Sequence, residues 1–152
     1  MKRLRLAILR CHVAMLALAI PDLRRWLPLA TLLWLFTPRR TSRLYSGIDP
    51  AEIVRVVERR LHRPWRMRRR PCLRLGLLLF HFLRLAGVPA VLNFCVYKEP
   101  LKEPLAAPSL GREQAHCWVT VSGRCVASPP ESEHVVILVY GEGSPDGHRV
   151  AA

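Results

Sequence analysis

The chain has 152 residues, enough for one domain with a substantial core, and 51% of them are apolar, which excludes an intrinsically disordered polymer. Residues 1–74 hold 18 Lys and Arg against four acids, a net charge of +14, whereas residues 75–152 hold six against seven, a net charge of −1. The basic half favours an acidic partner, nucleic acid or an anionic membrane surface. A charge coat that only keeps the protein in solution is the simpler alternative.

Two apolar segments begin the chain, and we predict helices over residues 4–19 and 22–36, separated near Pro21. Their apolar runs of 11 and 13 residues fall short of the roughly 18–20 residues that span a bilayer. No signal-peptide cleavage site is clear. The helices are therefore expected to face a core or to lie on a membrane surface, which basic ends and the indoles of Trp26 and Trp34 suit. We expect a cytoplasmic protein, with membrane association left open.

A third helix is predicted to begin at Asp49, whose side chain can cap it, with Pro50 in the first turn and Glu52 as the matching acid. It should end before Pro64. Its apolar residues recur at helical spacing and define one buried face: Ile53, Val56, Val57 and Leu61.

The most regular helix is predicted over Cys72–Ala86, ended by Gly87 and Pro89. Four strands should follow: Ala90–Tyr97, His116–Ser122, Arg124–Ala127 and His134–Tyr140. Lys98–Gln114 is predicted as a long loop, and we expect it to border a substrate groove. Helices followed by strands predict an α+β fold with a small antiparallel sheet.

The predicted elements suggest three regions along the chain. Residues 1–48 form a basic, helical and hydrophobic region, residues 49–141 form the main domain, and residues 142–152 form a flexible tail.

The five cysteines are odd in number and irregular in spacing, and no two have the C-x-x-C spacing of a zinc or redox site. We therefore expect reduced thiols, no metal and no other cofactor. Small buried residues are the simplest interpretation of Cys95, Cys117 and Cys125.

Cys72 is the cysteine with a chemical context. It follows Pro71 at a predicted helix start, where unpaired backbone N–H groups and the helix dipole favour a thiolate. The same N–H groups could form part of an oxyanion hole, and His116 is the best-placed base. The alternative is a small buried Cys72 and a partly exposed His116. Four arginines add positive potential: Arg68, Arg69, Arg70 and Arg74.

The order of short motifs resembles a known family. Cys72-Leu73 opens a helix, Gly87-Val88-Pro89 ends it, and Ala115-His116-Cys117-Trp118-Val119 follows a strand and a loop. Together with Arg63-Pro64-Trp65, this order is similar to the C-terminal domain of the lasso-peptide leader peptidases, which are transglutaminase-like cysteine proteases. The resemblance extends over roughly Ile53–Ser128.

The resemblance implies a transglutaminase-like or papain-like fold in which a central helix carries the cysteine and the sheet carries the histidine. It implies that Cys72 is the nucleophile and His116 the general base and then acid. It also implies three partners: a precursor peptide whose leader is removed, a small leader-recognition protein, and the lasso cyclase that closes the macrolactam ring.

The sequence departs from the family at the third catalytic position. Ser128 stands where the family has aspartate, and Glu131 or Glu133 could substitute for the missing carboxylate. Cys117 replaces the family's usual alanine, and the sequence assigns it no role. Trp118 is expected to face away from His116 and to pack on the central helix. Substrate or partner contacts are suggested for Trp65, Arg69, Arg70 and Trp118.

Two further functions stay open at the sequence level. A catalytically weakened or inactive scaffold of the same fold could hold a peptide without cleaving it. A basic protein of the membrane or of nucleic acid is the other alternative. Specific nucleic-acid binding is disfavoured because no zinc finger or RNP motif is present and few aromatic residues interrupt the basic run.

Overall fold

The computed structural model describes residues 2–61, 71–97, 115–127, 129–130, 133–141 and 148–149. Within these residues the chain forms helices α1 (Lys2–Trp26), α2 (Leu29–Leu35), α3 (Pro50–Leu61) and α4 (Pro71–Leu85). The strands are β1 (Ala90–Tyr97), β2 (Ala115–Val121), β3 (Arg124–Ala127), β4 (His134–Tyr140) and β5 (His148–Arg149). The sheet is antiparallel in the order β3-β2-β1-β4-β5. The predicted α+β fold class is confirmed.

Helix α4 lies between two layers. One side packs on β1 and β2, and the other contacts α1 and α3. We call α1, α2 and α3 the helical layer. One continuous apolar core runs through both contacts, from Leu9 and Val13 in α1 to Leu92 in β1 and Tyr140 in β4. The proposed boundary between residues 48 and 49 stays a prediction.

The predicted break at Pro21 is wrong, because α1 continues through this proline to Trp26. Proline cannot donate its helical hydrogen bond, and it crowds the preceding turn. Ile20 is buried and Leu23 packs on the core, so apolar burial on both sides of Pro21 offsets that loss. The break falls instead at Pro28, which caps α2 with an extended ψ of 158°.

The continuity of α1 also changes the expectation about whether this segment is long enough to span a bilayer. Its span Arg3–Trp26 is long and apolar enough to cross a bilayer by length and composition, and 22% of its most apolar window is buried inside the structure. Core helices of soluble proteins and signal sequences meet the same criterion. The expectation that both apolar runs are too short to span a bilayer therefore fails for the joined helix.

Helix α3 begins as the sequence indicates. The backbone N–H of Ala51 donates to Oδ1 of Asp49 at 3.0 Å, so Asp49 is the cap. Ile53, Val57 and Leu61 are buried, and the predicted apolar face is the face that packs.

The end of α4 sets the direction of β1. Gly87 has a φ of +87°. Its N–H donates to the carbonyl of Arg84 at 3.0 Å, and the N–H of Val88 donates to that of Leu83 at 2.9 Å. This pair of bonds is a Schellman motif, which needs a left-handed residue at its centre. The predicted stop at Gly87 is confirmed.

Strand pairing places the residues of interest on neighbouring strands. Cys95 of β1 lies opposite His116 of β2, and Tyr97 lies opposite His134 of β4. The β2–β3 hairpin turns at Ser122 and Gly123, both with positive φ, as the sequence predicts. The short pairing of β5 with the end of β4 has no counterpart in the predicted elements.

Candidate active site

The thiol of Cys72 lies at the beginning of α4. Cys72 is the second residue of the helix and is partly buried. N–H groups in the first turn of a helix have no intrahelical acceptor, and the helix dipole is positive at this end. The position therefore favours a negative charge on sulfur.

Two residues of β2, His116 and Cys117, lie close enough to the sulfur of Cys72 to change the pKa of its thiol. The structure thus brings together Cys72 and His116, although 44 positions separate them in the sequence. It also adds Cys117, to which the sequence assigned no role.

These contacts decide which sulfur is charged. The hydrogen bond from the Cys117 thiol, followed by the hydrogen bond and charge of His116, lowers the pKa of Cys72 to about 4 against the opposing effect of burial. The same hydrogen bond to Cys72, with burial, raises the pKa of Cys117 well above its usual value. The lowered pKa of Cys72 favours its thiolate at neutral pH.

The edge of β2 explains how two adjacent residues reach one sulfur. Side chains of neighbouring strand residues point to opposite faces. Among the described residues, β3 pairs with β2 only from Val119 to Val121, which leaves the edge beside His116 and Cys117 without a paired strand. Both residues and the Cys117 N–H can therefore contact Cys72 at this edge.

Gly76 allows β2 to approach α4 closely. A Cβ at this position would lie 2.9 Å from Cδ1 of Leu92 and 3.1 Å from Sγ of Cys117. Glycine inside a helix costs about 0.5–1 kcal/mol relative to alanine. Here it makes room for the Cys117 thiol one turn after Cys72.

The imidazole of His116 lies in an aromatic cluster. Its ring is stacked with Tyr97 at a centroid distance of 6.0 Å and with Trp118 at 6.4 Å. Trp118 also meets His134 edge to face at 5.4 Å. These stacking contacts restrict the plane of the catalytic candidate's ring.

The prediction that Trp118 faces away from His116 is wrong. Residues two apart in a strand share a face, so the period of two places both rings on the same side of β2. That period, applied correctly, also predicts the pairing of the two rings. Tyr97 could be found only once the register of β1 against β2 is known, and the sequence does not give that register.

Cys95 lies opposite His116 and is fully buried, and burial raises the pKa of its thiol. All five cysteines are free thiols. Across the described ranges, no group of three or more His, Cys, Asp or Glu side chains could hold a metal ion.

Several sequence-predicted residues lie outside the described residues: Trp65, Arg69, Arg70, Ser128, Glu131 and the loop Lys98–Gln114. Glu133 is described, and it is exposed immediately before β4. A carboxylate that orients His116 therefore stays a prediction.

Comparison with known proteins identifies the family. Residues 14–139 match the family model described as the transglutaminase-like superfamily. No curated protein and no solved structure matches the chain. The matched segment covers most of the chain and contains Cys72, Gly76, Tyr97, His116 and Cys117.

Proposed function

The chain belongs to the transglutaminase-like superfamily, and from this premise we propose that it is a cysteine peptidase that removes the leader from a ribosomally made, lasso-type precursor peptide. The observation that carries the proposal is that His116 lies beside Cys72 at the first turn of α4, where it lowers the pKa of the thiol. The superfamily includes cysteine peptidases and acyltransferases. Water is the proposed acyl acceptor because the order of motifs resembles that of the leader peptidases.

In the first half of the proposed reaction, the Cys72 thiolate attacks the carbonyl carbon of the scissile bond, and an electron pair moves onto the oxygen. N–H groups of the first turn of α4 stabilise this oxyanion. As the C–N bond breaks, protonated His116 gives its proton to the leaving amine. The core peptide departs with a free amine, and the leader remains as a thioester on Cys72.

In the second half, neutral His116 takes a proton from water as the oxygen adds to the thioester. The C–S bond then breaks, and Cys72 leaves as a thiolate while the leader is released with a new carboxylate. A low thiol pKa assists this step, because a stable thiolate is a better leaving group. Thiol and imidazole supply all the chemistry, so the reaction needs no cofactor.

The proposed reaction also assigns the partners. The precursor peptide is the substrate, and a small leader-recognition protein delivers it. The free amine that cleavage creates is the group that the lasso cyclase joins into the macrolactam ring.

The experiment is cleavage of the precursor peptide encoded in the same gene neighbourhood, followed by mass spectrometry. Wild type, Cys72→Ala and His116→Ala are each tested with and without the leader-recognition protein. Cys125→Ala, which changes an exposed cysteine on β3, is the matched control. Leader release by wild type and the control, with its loss in both site variants, would support the proposal.

Other outcomes identify other functions. Transfer of the leader to an added amine in place of water would indicate an acyltransferase. Binding of the precursor with no cleavage by wild type would indicate a peptide-binding scaffold, in accordance with Ser128 at the position of the family's aspartate. Salt-dependent binding to arbitrary DNA, with no peptide binding, would indicate a basic nucleic-acid protein.

We further propose that the peptidase acts in the cytoplasm with the outer face of α1 on an anionic membrane. This face exposes large apolar side chains: Leu4, Met15, Leu18 and Trp26, the last at 85%. Residues 1–48 contain nine Lys and Arg, with Asp22 as the only acid. An apolar face with basic residues and an indole at one end suits an anionic lipid surface.

Sedimentation with phosphatidylcholine vesicles, with and without phosphatidylglycerol, tests this location. Binding should need phosphatidylglycerol and should weaken in Met15→Gln/Leu18→Gln. Val135→Gln, which changes an equally exposed apolar residue on β4, should bind like wild type. Absence of binding, or equal binding by all three proteins, would overturn the proposal. A dimer that the double variant abolishes would assign the face to a second copy.

A further inference from the structure

We propose that the unpaired edge of β2 beside Cys72 binds the substrate peptide as an added β-strand, and that Pro129 and Pro130 keep this edge open for it. The inference rests on the proposed peptidase function for the identity of the peptide. It adds how the peptide is held, which is by its backbone and in an extended conformation. Strand addition of this kind takes most of its affinity from main-chain hydrogen bonds.

The first argument is that strand pairing on this side of β2 stops before it reaches the catalytic candidates. Within the described residues, β3 pairs with β2 at Val119–Val121, whereas β2 itself begins at Ala115. An unpaired edge presents a row of backbone N–H and C=O groups, which every second residue turns outward. The segment Ala115–Trp118 therefore offers backbone donors and acceptors to a further strand.

The second argument is that two prolines stop β3 from extending along this edge. β3 ends at Ala127. Continued in the register of its last pair, it would place Pro129 opposite Cys117, and Pro130 would follow opposite His116. Neighbouring residues turn their N–H groups to opposite edges, so one of two consecutive prolines always lacks the N–H that β2 would need. Both prolines lie outside the strands in the structure, and the chain's own sequence leaves the edge open.

The third argument is that the nucleophile lies beside the same part of β2. Cys72 precedes Gly76 by one turn, so the two residues lie on one side of α4. A Cβ on Gly76 would lie 3.1 Å from Sγ of Cys117, so this side of the helix packs closely on β2. A strand paired with Ala115–Trp118 would carry its carbonyl groups past the sulfur, and attack on a peptide bond requires that approach.

The fourth argument is that the composition of β2 does not protect its edge. Natural sheet edges are commonly protected against further strands by charged side chains. The sequence of β2, AHCWVTV, contains no Asp, Glu, Lys or Arg, and Ala115 at its start is small and exposed. The prolines therefore exclude the chain's own strand, whereas no charged side chain of β2 excludes a peptide from outside.

The test is a backbone N-methyl scan along the precursor peptide, with binding to full-length Cys72→Ala protein measured by fluorescence anisotropy. Only every second residue of a paired strand turns its N–H to the neighbouring strand. The dissociation constant should therefore rise about threefold to tenfold at alternate positions of one segment and change little at the positions between them. Absence of binding, a flat scan, or a rise without this alternation would overturn the proposal.

A second variant tests the prolines in the same Cys72→Ala background. Pro129→Thr/Pro130→Thr supplies the N–H groups that β3 needs to extend along β2, so the precursor should bind at least about tenfold more weakly. Pro38→Thr, which changes a proline between α2 and α3, is the matched control and should bind like its parent. Circular dichroism checks that both are folded. Unchanged binding by the folded double variant would overturn the role of the prolines, and a dimer that it abolishes would assign the edge to a second copy.

These outcomes are distinct from those of the cleavage experiment. Alternating effects on binding, with no cleavage by wild type, would keep the edge of β2 as a peptide-binding site and reject the peptidase. Cleavage by wild type with a flat N-methyl scan would keep the peptidase and reject the added strand.

Discussion

Two regions of α4 are associated with histidines in opposite circumstances: His116 reaches its N-terminal end from β2, whereas His81 belongs to the helix itself. At its N-terminal end, His116 contacts a thiolate and is only partly buried. In its middle, His81 packs against Phe82 and His12 of the helical layer, with ring centroids 5.1 and 5.9 Å away. One helix therefore supports both a reactive site and a static aromatic cluster.

The surroundings account for the difference. The Nδ1–H of His81 donates to the carbonyl of Phe36 at 3.1 Å, and Nδ1 of His12 meets the hydroxyl of Tyr45 at 2.8 Å. Burial lowers the pKa of His12 and of His81, and neither contacts an anion among the described contacts. The neighbouring charge, and not the residue type, therefore separates the catalytic candidate from the structural histidines.

The largest difference in cleavage rate should appear between a variant that lacks His116 and a variant that lacks His81. His116→Ala should lower leader cleavage about a thousandfold or more, because Cys117, the other described residue beside the Cys72 sulfur, has a pKa raised well above its usual value and is a poor substitute for an imidazole in proton transfer. His81→Leu should keep the cleavage rate but cost about 1–2 kcal/mol of unfolding free energy, because the Phe36 carbonyl loses its donor. Steady-state kinetics and urea denaturation measure the two quantities.

Each variant serves as the control for the other. Loss of stability in His116→Ala equal to that in His81→Leu would remove the distinction between the two regions. Loss of cleavage in a folded His81→Leu protein would show that the rings packed around His81 contribute to the chemistry.

The aromatic cluster at the site gives a smaller effect on rate. Trp118→Leu should lower kcat roughly tenfold or more, because the His116 ring loses one of its stacking partners and misplacement of a catalytic group is costly. Trp118→Phe keeps an aromatic ring there and should retain most of the rate. Equal kcat values in the two variants would mean that stacking does not orient the imidazole.

The close approach of α4 and β2 can be tested by adding one methyl group. Gly76→Ala should cost about 1–3 kcal/mol of unfolding free energy, because the new Cβ meets Leu92 and Cys117. The double variant Gly76→Ala/Cys117→Ala should recover part of this loss, since one contact is removed. A single variant as stable as wild type would show that the two elements are not tightly packed here.

The smallest expected effect is on the pH dependence of the free energy of unfolding, to which the histidines within α1 and within α4 contribute. Both His12 and His81 have a folded-state pKa below the unfolded value of 6.5, so below pH 6.5 the unfolded chain binds more protons than the folded one. Stability should therefore fall as the pH decreases from 6.5 toward the folded-state pKa values. Urea denaturation at a series of pH values should show a shallower fall in His81→Leu than in wild type.

Cys72 contributes in the same direction over a wider range, because its pKa is lowered to about 4 from 9.0. The histidine measurement is therefore made in a Cys72→Ala background. An identical pH profile in that background with and without His81 would contradict the histidine assignment.

Local signals account for the elements that the sequence predicts correctly. The cap at Asp49, the stop at Gly87 and the turn at Ser122-Gly123 each depend on a few neighbouring residues whose preferred backbone conformation is strong. The chemical context of Cys72 is local too, because a cysteine after a proline at a helix start is visible in the sequence.

Contacts between distant residues account for what the sequence does not predict. The continuity of α1 through Pro21 depends on what Ile20 packs against, and the position of Cys117 beside Cys72 depends on how β2 packs against α4. The two-residue strand β5 depends on pairing with β4 and has almost no signal of its own. Each requires the fold before it can be recognised.

The contact between Gly76 and Cys117 also constrains the order in which substitutions could accumulate. A Cβ at position 76 would meet both Leu92 and Cys117, so a smaller side chain at position 117 removes one of the two obstacles. A lineage that acquires the thiol therefore loses more stability when the helix glycine is replaced than one with alanine at position 117. Relatives of this chain are expected to show the two positions varying together.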